Sequence, residues 1–327
     1  MRILYSAEVA QLLDMPSCID AVEEAFRARG AGRPAASASL GLPLDGGTLH
    51  AKLARLDRAR SYVAAKINAN LPRNPTEKLL PTIQGVLVLI DAEAGVPLAI
   101  MDSAAITTLR TAATSAVAAR HLALPGASAA TFIGCGVQAR AQLSALRAVR
   151  PITRAFAVDS HRTAAEQFCE YALDGHGVDC TVPASLREAT RNSQIIITTT
   201  PSERPVLYRD DVAAGAFIAA VGADNEHKQE IDPYLLSVAA VVVDDLEQCA
   251  HGGDLRHAVA DLVMQLGDVR GSLDQVLAGT REGRRSVDEI IVFDSTGVAI
   301  EDVAAAALVF ERASADGIGI EMALAGR

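Results

Sequence analysis

Thr131-Phe-Ile-Gly-Cys-Gly-Val-Gln-Ala139 is the stretch whose reading decides the fold of this 327-residue chain. A short apolar strand runs into G-x-G-x-x-A, and an Ala/Leu-rich helix follows. Asp159 then stands 20 residues beyond Ala139, at the end of the next apolar strand, 155–158. This layout predicts a dinucleotide-binding turn. Gly134 permits the sharp strand-to-helix turn, and Gly136 lets backbone N–H groups approach a pyrophosphate. Ala139 lets helix and strand pack closely, while the helix N-terminus, with Val137 and Gln138, favours negative charge. Asp159 is positioned to accept hydrogen bonds from a ribose diol, with Ser160 and Arg162 beside it. Its charge repels a 2′-phosphate, which favours NAD. His161 and Arg162 just beyond leave NADP as the alternative.

Outward from this turn the chain alternates strand and helix. Strands are expected at 129–133, 154–158, 178–182, 194–199, 216–221, 239–243 and 290–294, the pattern of a parallel sheet. Before it the pattern differs. Residues 7–30 have helical periodicity, interrupted at Pro16 and closed by Gly30. From 48 to 101 the side chains alternate as in strands, with Gly/Pro loops at 41–47 and 71–75. An Ala/Thr-rich helix spans 104–122, capped by Asp102 or Ser103, and a last helix at about 301–316 could return to the first domain. The expected fold is α/β: a Rossmann-type doubly wound parallel sheet plus a mixed α+β N-terminal substrate and dimerisation domain completed by the C-terminal helix. The expected domains are 1–118, 119–298 and the return at 299–327.

Bulk properties narrow the function classes. The formal net charge of −10 argues against nucleic acid, whose binding depends on clustered cations. No apolar run reaches the roughly 18 to 20 residues of a membrane span, and the N-terminus lacks the apolar core of a secretory signal. The five cysteines (Cys18, Cys135, Cys169, Cys180, Cys249) include no C-x-x-C, so neither a disulfide framework nor a zinc site is expected and a reducing cytoplasm is the simplest home. Cys135 reads as a space-filler. The seven histidines are scattered, so no metal is assigned. One local exception to the acidic balance is Lys52, Arg55, Arg58, Arg60, Lys66 and Arg73 against the single Asp57: either a solvated face or a place where a small anion is captured.

Three residues could carry chemistry. Asp224 follows a strand of the nucleotide domain, where a carboxylate can carry a proton or simply cap a turn. Arg110 sits among small and apolar neighbours on the 104–122 helix, so its guanidinium is partnered indoors or grips a carboxylate in two-point contact; surface solubilisation is the plain alternative. Lys66, followed by Asn68, is mid-strand, which suits a wet face. Beside Arg110 and Lys52 its amine should titrate below its free value. Asp294-Ser295-Thr296-Gly297 after the last strand borders the cofactor ring or forms a turn.

Together these pieces resemble the ornithine cyclodeaminase/μ-crystallin family, most densely in Lys66-Ile-Asn68, Pro81-Thr-Ile-Gln-Gly85, Leu109-Arg-Thr-Ala-Ala113, Gly134-Cys-Gly-Val-Gln-Ala139, Gly222-Ala-Asp224 with Lys228-Gln-Glu230, and Phe293-Asp-Ser295 with Gly297. The resemblance implies hydride transfer between NAD(H) and the α-carbon of a small amino or imino acid. Cyclodeamination of ornithine or lysine, or ligand carriage without catalysis, are the alternatives. It further implies that Arg110, Lys66 and Lys52 hold the substrate carboxylate with Thr82 nearby, that Asp224 and Lys66 are catalytic, and that Thr111, Thr200, Val221, Gly222 and Ser295 join the cofactor contacts. A homodimer through the N-terminal sheets is also implied. One departure stands out. Many relatives carry an arginine about ten residues before a Met-Pro pair; residues 35–40 hold none here, and Lys52-Leu53 occupies the Met-Pro position, so Lys52 is expected to supply that charge.

Overall fold

A computed structural model describes residues 1–33 and 37–323. The chain divides into two compact units, Met1–Thr111 with Val298–Arg327, and Ala112–Gly297. The division falls within the long helix Ser103–Leu122, seven residues before the 118/119 boundary expected from sequence.

Among the described residues, the first unit holds a seven-stranded mixed sheet in the order Ile320–Glu321, Arg2–Leu4, Pro97–Asp102, Ile83–Asp91, Tyr62–Asn70, Gly47–Leu56, Ser37–Leu44. The Gly/Pro-rich segment expected as a loop at 41–47 is largely strand. Ser37–Leu44 pairs antiparallel along its whole length with Gly47–Leu56, and only the tip at 45–46 turns. Pro43 is tolerated because this is an edge strand with a free N–H side. Period-2 alternation separates two faces. One carries Leu40, Leu42, Leu53, Ile67 and Val86, all exposed; the other carries Ala54, Leu56, Tyr62, Ala64, Lys66, Leu87 and Leu89, all buried. The buried face is covered by the helix Ala299–Asp316, which packs on Gly47–Leu56, Tyr62–Asn70 and the helix Met15–Gly30. That last helix starts where the sequence signals it: Asp14 accepts the Ser17 N–H at 2.9 Å, with Pro16 in the first turn. Asp102 caps Ser103–Leu122, its Oδ1 accepting N–H from Ala104 at 3.1 Å and Ala105 at 3.3 Å.

The second unit is built on eight parallel strands in the order Gly271–Ser272, Ala240–Val243, Ile291–Asp294, Phe217–Ala220, Ile195–Thr198, Ala129–Ile133, Arg154–Val158, Asp179–Thr181. The central strands are buried at every position, as expected where helices cover both faces. Strand order reverses between Ala129–Ile133 and Ile195–Thr198, the switch point at which such sheets open a ligand crevice.

One expectation is corrected in this unit. Cys169 on the helix Arg162–His176 and Cys180 on the edge strand Asp179–Thr181 form a disulfide, their Cα atoms 4.9 Å apart. Their spacing of 11 residues matches no motif; helix-to-strand packing brings them together. Cys18, Cys135 and Cys249 are free and buried. Among the described residues no helix is long and apolar enough to cross a membrane.

Candidate active site

In the first unit the sequence-singled cations meet on the covered face of the sheet. Lys52 and Lys66 are direct cross-strand partners, and His50 and Asn68 are the next pair on the same face. Arg110 reaches this face from Ser103–Leu122, where its small neighbours Thr107, Thr111 and Ala113 leave room for the guanidinium. Lys66 and Arg110 are 3% and 5% exposed, so the mid-strand lysine lies on a dry face rather than a wet one.

Burying like charges side by side costs several kcal/mol per contact: two unit charges 4 Å apart interact by about 4 kcal/mol at an effective dielectric constant of 20. The structure resolves this with two acids that sequence reading did not single out. Asp302 Oδ1 lies 2.7 Å from Lys66 Nζ and 2.9 Å from Arg110 Nε, and Glu301 Oε2 lies 2.6 Å from Arg110 Nη1. Both acids sit in the first turn of Ala299–Asp316, where Glu301 Oε1 also accepts the Val298 N–H at 3.2 Å. Thr107 Oγ1 accepts from Lys66 Nζ at 3.3 Å and from Asn68 Nδ2 at 3.1 Å. Burial, with the Arg110 and Lys52 charges, holds the Lys66 ammonium down at about 7 against the pull of Asp302. Burial pushes Asp302 upward, but Arg110 and Lys66 outweigh it and hold the carboxyl below its ordinary value. The signal for the acids was the adjacent Glu-Asp at the start of an otherwise Ala/Val-rich helix.

The basic segment between Lys52 and Arg73 does not act as one patch. Arg55 pairs with Asp57 at 2.8 Å, Arg58 with Glu24 at 2.5 Å and Arg60 with Asp91 at 2.6 Å, while Lys52 and Lys66 turn to the covered face. Thr82 lies in the turn before Ile83–Asp91, its carbonyl accepting the Leu71 N–H at 2.9 Å. Residues 35 and 36, within the stretch that lacks the family arginine, lie outside the described residues; Ser39 of the same stretch is the cross-strand partner of Lys52.

In the second unit, Gly134 has φ +86°, and a Cβ there would lie 2.9 Å from the Thr199 carbonyl oxygen. Gly136 caps the helix Val137–Val149, and a Cβ there would meet nothing within 4 Å. The first-turn N–H groups at Val137, Gln138 and Ala139 thus start behind an open position, with Val137 exposed and Ala139 buried against the sheet. Asp159 Oδ2 accepts the Cys135 N–H and its Oδ1 the His161 N–H, both at 2.8 Å, tying the glycine turn to the next strand end. An ionised carboxylate has about four acceptor positions, so a ribose diol can still be received. Ser160 is exposed, and Arg162 is exposed and paired with Glu166 at 2.8 Å. These residues fit a dinucleotide. Burial first, then the Asp159 charge, raises the Cys135 thiol to about 12, which makes it a filler and no nucleophile.

Two more strand ends are held by Glu230, the last residue of Lys228-Gln-Glu230. Its carboxylate accepts from Thr198 Oγ1 at 2.6 Å, Thr200 N at 2.5 Å and Gly222 N at 2.7 Å. This locks the segments carrying Thr200, Val221 and Gly222, and a Cβ at Gly222 would run into the Thr200 carbonyl oxygen and the Glu230 carboxyl. Asp224 follows in the same segment, its Oδ1 accepting from Lys228 Nζ at 2.8 Å and Asn225 Nδ2 at 3.1 Å. Ser295 is 4% exposed, and its hydroxyl donates to Asp244 Oδ2 at 3.0 Å. Thr111, by contrast, closes the first unit.

The profile of the ornithine cyclodeaminase/mu-crystallin family matches residues 1–317. The chain belongs to this family. It is 41% identical over 317 residues to an alanine dehydrogenase of Archaeoglobus fulgidus, covering 97% of this chain and 96% of that protein. Among solved structures, an archaeal alanine dehydrogenase dimer with bound NAD superposes with a TM-score of 0.94 at 40% identity, covering 99% of each chain. The Thermococcus litoralis Δ1-pyrroline-2-carboxylate reductase with NADH and L-proline gives 0.94 at 31% identity, covering 98% of this chain and 100% of that one. The family's expected fold, a parallel dinucleotide-type sheet beside a separate mixed sheet, is the fold found.

Proposed function

We propose that this family member is an NAD-dependent oxidoreductase that interconverts a small α-amino acid and its imino acid. The observation that carries the reading is the presence, in one chain, of a dinucleotide turn ending in Asp159 and a buried patch in which Lys66 and Arg110 meet Glu301 and Asp302, with Lys52 the cross-strand partner of Lys66. Relatives named for alanine dehydrogenase and pyrroline-carboxylate reduction, with NAD or NADH in their structures, support it.

In this reading Arg110 and Lys66, with Lys52 beside them, hold the substrate α-carboxylate. A charged guanidinium and ammonium fix its orientation, and a fixed orientation lowers the barrier because little reorganisation remains at the moment of reaction. Asp224 exchanges the proton of the substrate nitrogen, its carboxylate oriented by Lys228 Nζ. NAD(H), held by residues 134–139 and Asp159, supplies the hydride chemistry. Asp159 favours NAD over NADP by repelling a 2′-phosphate.

The test is a screen of amino acids for NAD reduction, with pyruvate or glyoxylate plus ammonia, and cyclic imines, for NADH oxidation. Turnover with at least one small carboxylate-bearing pair is expected. Proline and ammonia from ornithine without net NADH change would move the assignment to cyclodeaminase, and cofactor binding without any turnover would overturn catalysis.

The assembly we infer is a homodimer through the open sheet face. Leu40, Ala51, Ile67 and Val86 align across four neighbouring strands, and Leu40, Ile67 and Val86 are 59%, 47% and 46% exposed. Such a contiguous apolar face on a β-sheet is characteristic of an interface, and the archaeal relative is a dimer. Ile67→Lys should shift the sedimentation coefficient to that of a monomer; an unchanged value would place the contact elsewhere.

A further inference from the structure

Facing Lys66 from the helix Ser103–Leu122 is a hydroxyl to which the proposed reaction gives no task. Thr107 stands one turn before Arg110, on the side of that helix that meets Tyr62–Asn70. Its Oγ1 receives Lys66 Nζ at 3.3 Å and Asn68 Nδ2 at 3.1 Å. An ammonium has donors only, so toward Lys66 the hydroxyl must accept. The Asn68 amide is turned the same way. Its Oδ1 takes the Ser103 hydroxyl at 2.5 Å, a separation that suits O–H···O and is too short for N–H···O, which leaves Nδ2 for Thr107. Ser103 and Asn68 are 0% and 7% exposed, so this orientation is set in the dry part of the sheet face. With both lone pairs engaged, the Thr107 hydroxyl keeps one hydrogen to give, and that hydrogen meets no acceptor among the described residues. Lys66 is in the same position. Of its three ammonium hydrogens one goes to Asp302 Oδ1 at 2.7 Å and one to Thr107, and the third meets no acceptor among the described residues.

We propose that Thr107 is a carboxylate-binding residue: its hydroxyl donates to the substrate carboxylate beside the Lys66 ammonium, while Ser103 and Asn68 are positioning residues that aim it. The inference rests on the reading above that this patch receives the substrate carboxylate, and it adds a neutral donor to the cations named there. Its geometric basis is the pair of unused hydrogens, carried by atoms 3.3 Å apart on two neighbouring elements. One is charged and buried, the other half-buried. Donors at a dry site are costly to leave unmet, and a carboxylate satisfies both at once. A hydroxyl also suits this place electrostatically. It strengthens the hold on an anion without setting another like charge to be desolvated beside Lys66 and Arg110.

The test titrates propionate into the NADH-loaded protein by calorimetry. Thr107→Val keeps the shape and removes the hydroxyl, Thr107→Ala removes it with less demand on packing, and Thr107→Ser retains it. The valine and alanine variants should each bind propionate about 10-fold more weakly, as for loss of one hydrogen bond to a charged group. The serine variant should stay within about threefold of wild type, and NADH affinity should be unchanged throughout. The loss should be the same factor at pH 6 and pH 9. A threonine hydroxyl keeps its hydrogen across that range, whereas Lys66, facing Asp302, Arg110 and Lys52, changes charge within it. Asn68→Ala should weaken propionate about threefold and add nothing to Thr107→Val, as expected of a residue acting through the hydroxyl. Thermal melts accompany each titration, so that loss of fold is read separately. Affinity within twofold of wild type in a folded valine or alanine variant overturns the proposal. So does a loss seen at pH 6 and absent at pH 9, because Thr107 would then act only by holding the charged Lys66. If neither apolar variant folds, Thr107→Ser decides: binding more than threefold weaker than wild type overturns the proposal. Additive losses from Asn68→Ala and Thr107→Val overturn the positioning role. Failure of the underlying reading has a different signature, in which propionate produces no heat with the wild-type protein.

Discussion

In the proposed reading, the groups of the first unit that meet an anion are side chains from elements spread between Lys52 and Asp302; in the second they are backbone N–H groups within 134–139. The first kind of site needs counter-charges, because guanidinium and ammonium groups must be desolvated together, and two acids from the C-terminal helix supply them. The second kind needs no charged partner for its donors. It requires space for close approach, a left-handed φ at Gly134 and the partial positive charge of a helix end. One is therefore fragile to changes of charge and the other to added volume. That contrast can be broken or sharpened by substitution.

The largest effect is expected from Arg110→Ala. It should lower kcat/KM by about 30- to 1000-fold, roughly 2–4 kcal/mol of transition-state stabilisation. It should also destabilise the fold by about 3–5 kcal/mol, because Glu301 and Asp302 are left as buried acids without their guanidinium. Steady-state kinetics and denaturant unfolding check the two numbers. An unchanged kcat/KM would remove Arg110 from the site.

A smaller but more selective effect is expected from Gly134→Ala. An L-residue at φ +86° costs about 1–2 kcal/mol, and the new Cβ presses on the Thr199 carbonyl. The dissociation constant for NADH should rise tens of fold, read by fluorescence titration, with the variant still folded. If NADH binding is unaffected, the turn does not carry the pyrophosphate. Next comes Asp159→Asn. It retains an acceptor for the Cys135 N–H yet removes the charge, so the ratio of kcat/KM for NADPH over NADH should rise about 10-fold. No change in that ratio would leave cofactor choice to other residues.

The same contrast explains what the sequence discloses. The nucleotide half is local: strand, glycine turn, helix and terminal acid fall within 129–159, and their order alone predicts the strands found at Ala129–Ile133 and Arg154–Val158. Lys66 and Arg110 stand out because a lysine in mid-strand and an arginine among alanines break the local pattern. The lowering of the Lys66 amine is expected from its cationic neighbours, but burial, which the expected wet face did not foresee, is its first cause, and Arg110 and Lys52 add to it. Glu301 and Asp302 do not stand out, because acids in a first helical turn are already explained by the helix dipole. Only the packing of Ala299–Asp316 on the sheet reveals their second partners. The strand Ser37–Leu44 is hidden for a related reason: Gly41 and Pro43 are loop signals, and an edge position tolerates both. The disulfide between Cys169 and Cys180 likewise depends on a helix-to-edge contact that no spacing encodes.

The subtlest expected difference between the two units is the sign of their response to pH. In the second unit, burial pushes Asp294 up to about 7, against its hydrogen bond from the Leu255 N–H and with help from the Asp244 charge. Burial, then the charges of Asp294 and Glu230, lifts Asp254 as well. Between the ordinary carboxylate range and about 7 the folded unit keeps a proton that the unfolded chain releases, so the stability contributed by Asp294 is present at acid pH and is lost as pH rises through about 7. In the first unit Lys66 runs the other way. Its folded value is about 7 against an ordinary 10.5, so above about 7 the unfolded chain holds a proton that the folded unit lacks, and stability rises with pH up to the ordinary lysine value. Amide exchange followed from pH 5 to 9 should show protection in 129–294 declining toward neutrality and protection in 62–110 increasing above it. Each group contributes a slope of at most about 1.4 kcal/mol per pH unit. Asp294→Asn should flatten the first trend alone and Lys66→Met the second alone. The same lysine makes carboxylate binding proton-linked, since an anion beside Nζ favours the ammonium, so propionate should bind progressively more weakly as pH rises through about 7. Parallel pH trends in both units, or propionate affinity constant from pH 6 to 9, would mean that the charged patch and the carboxyl-lined sheet end do not differ in the way their burial implies.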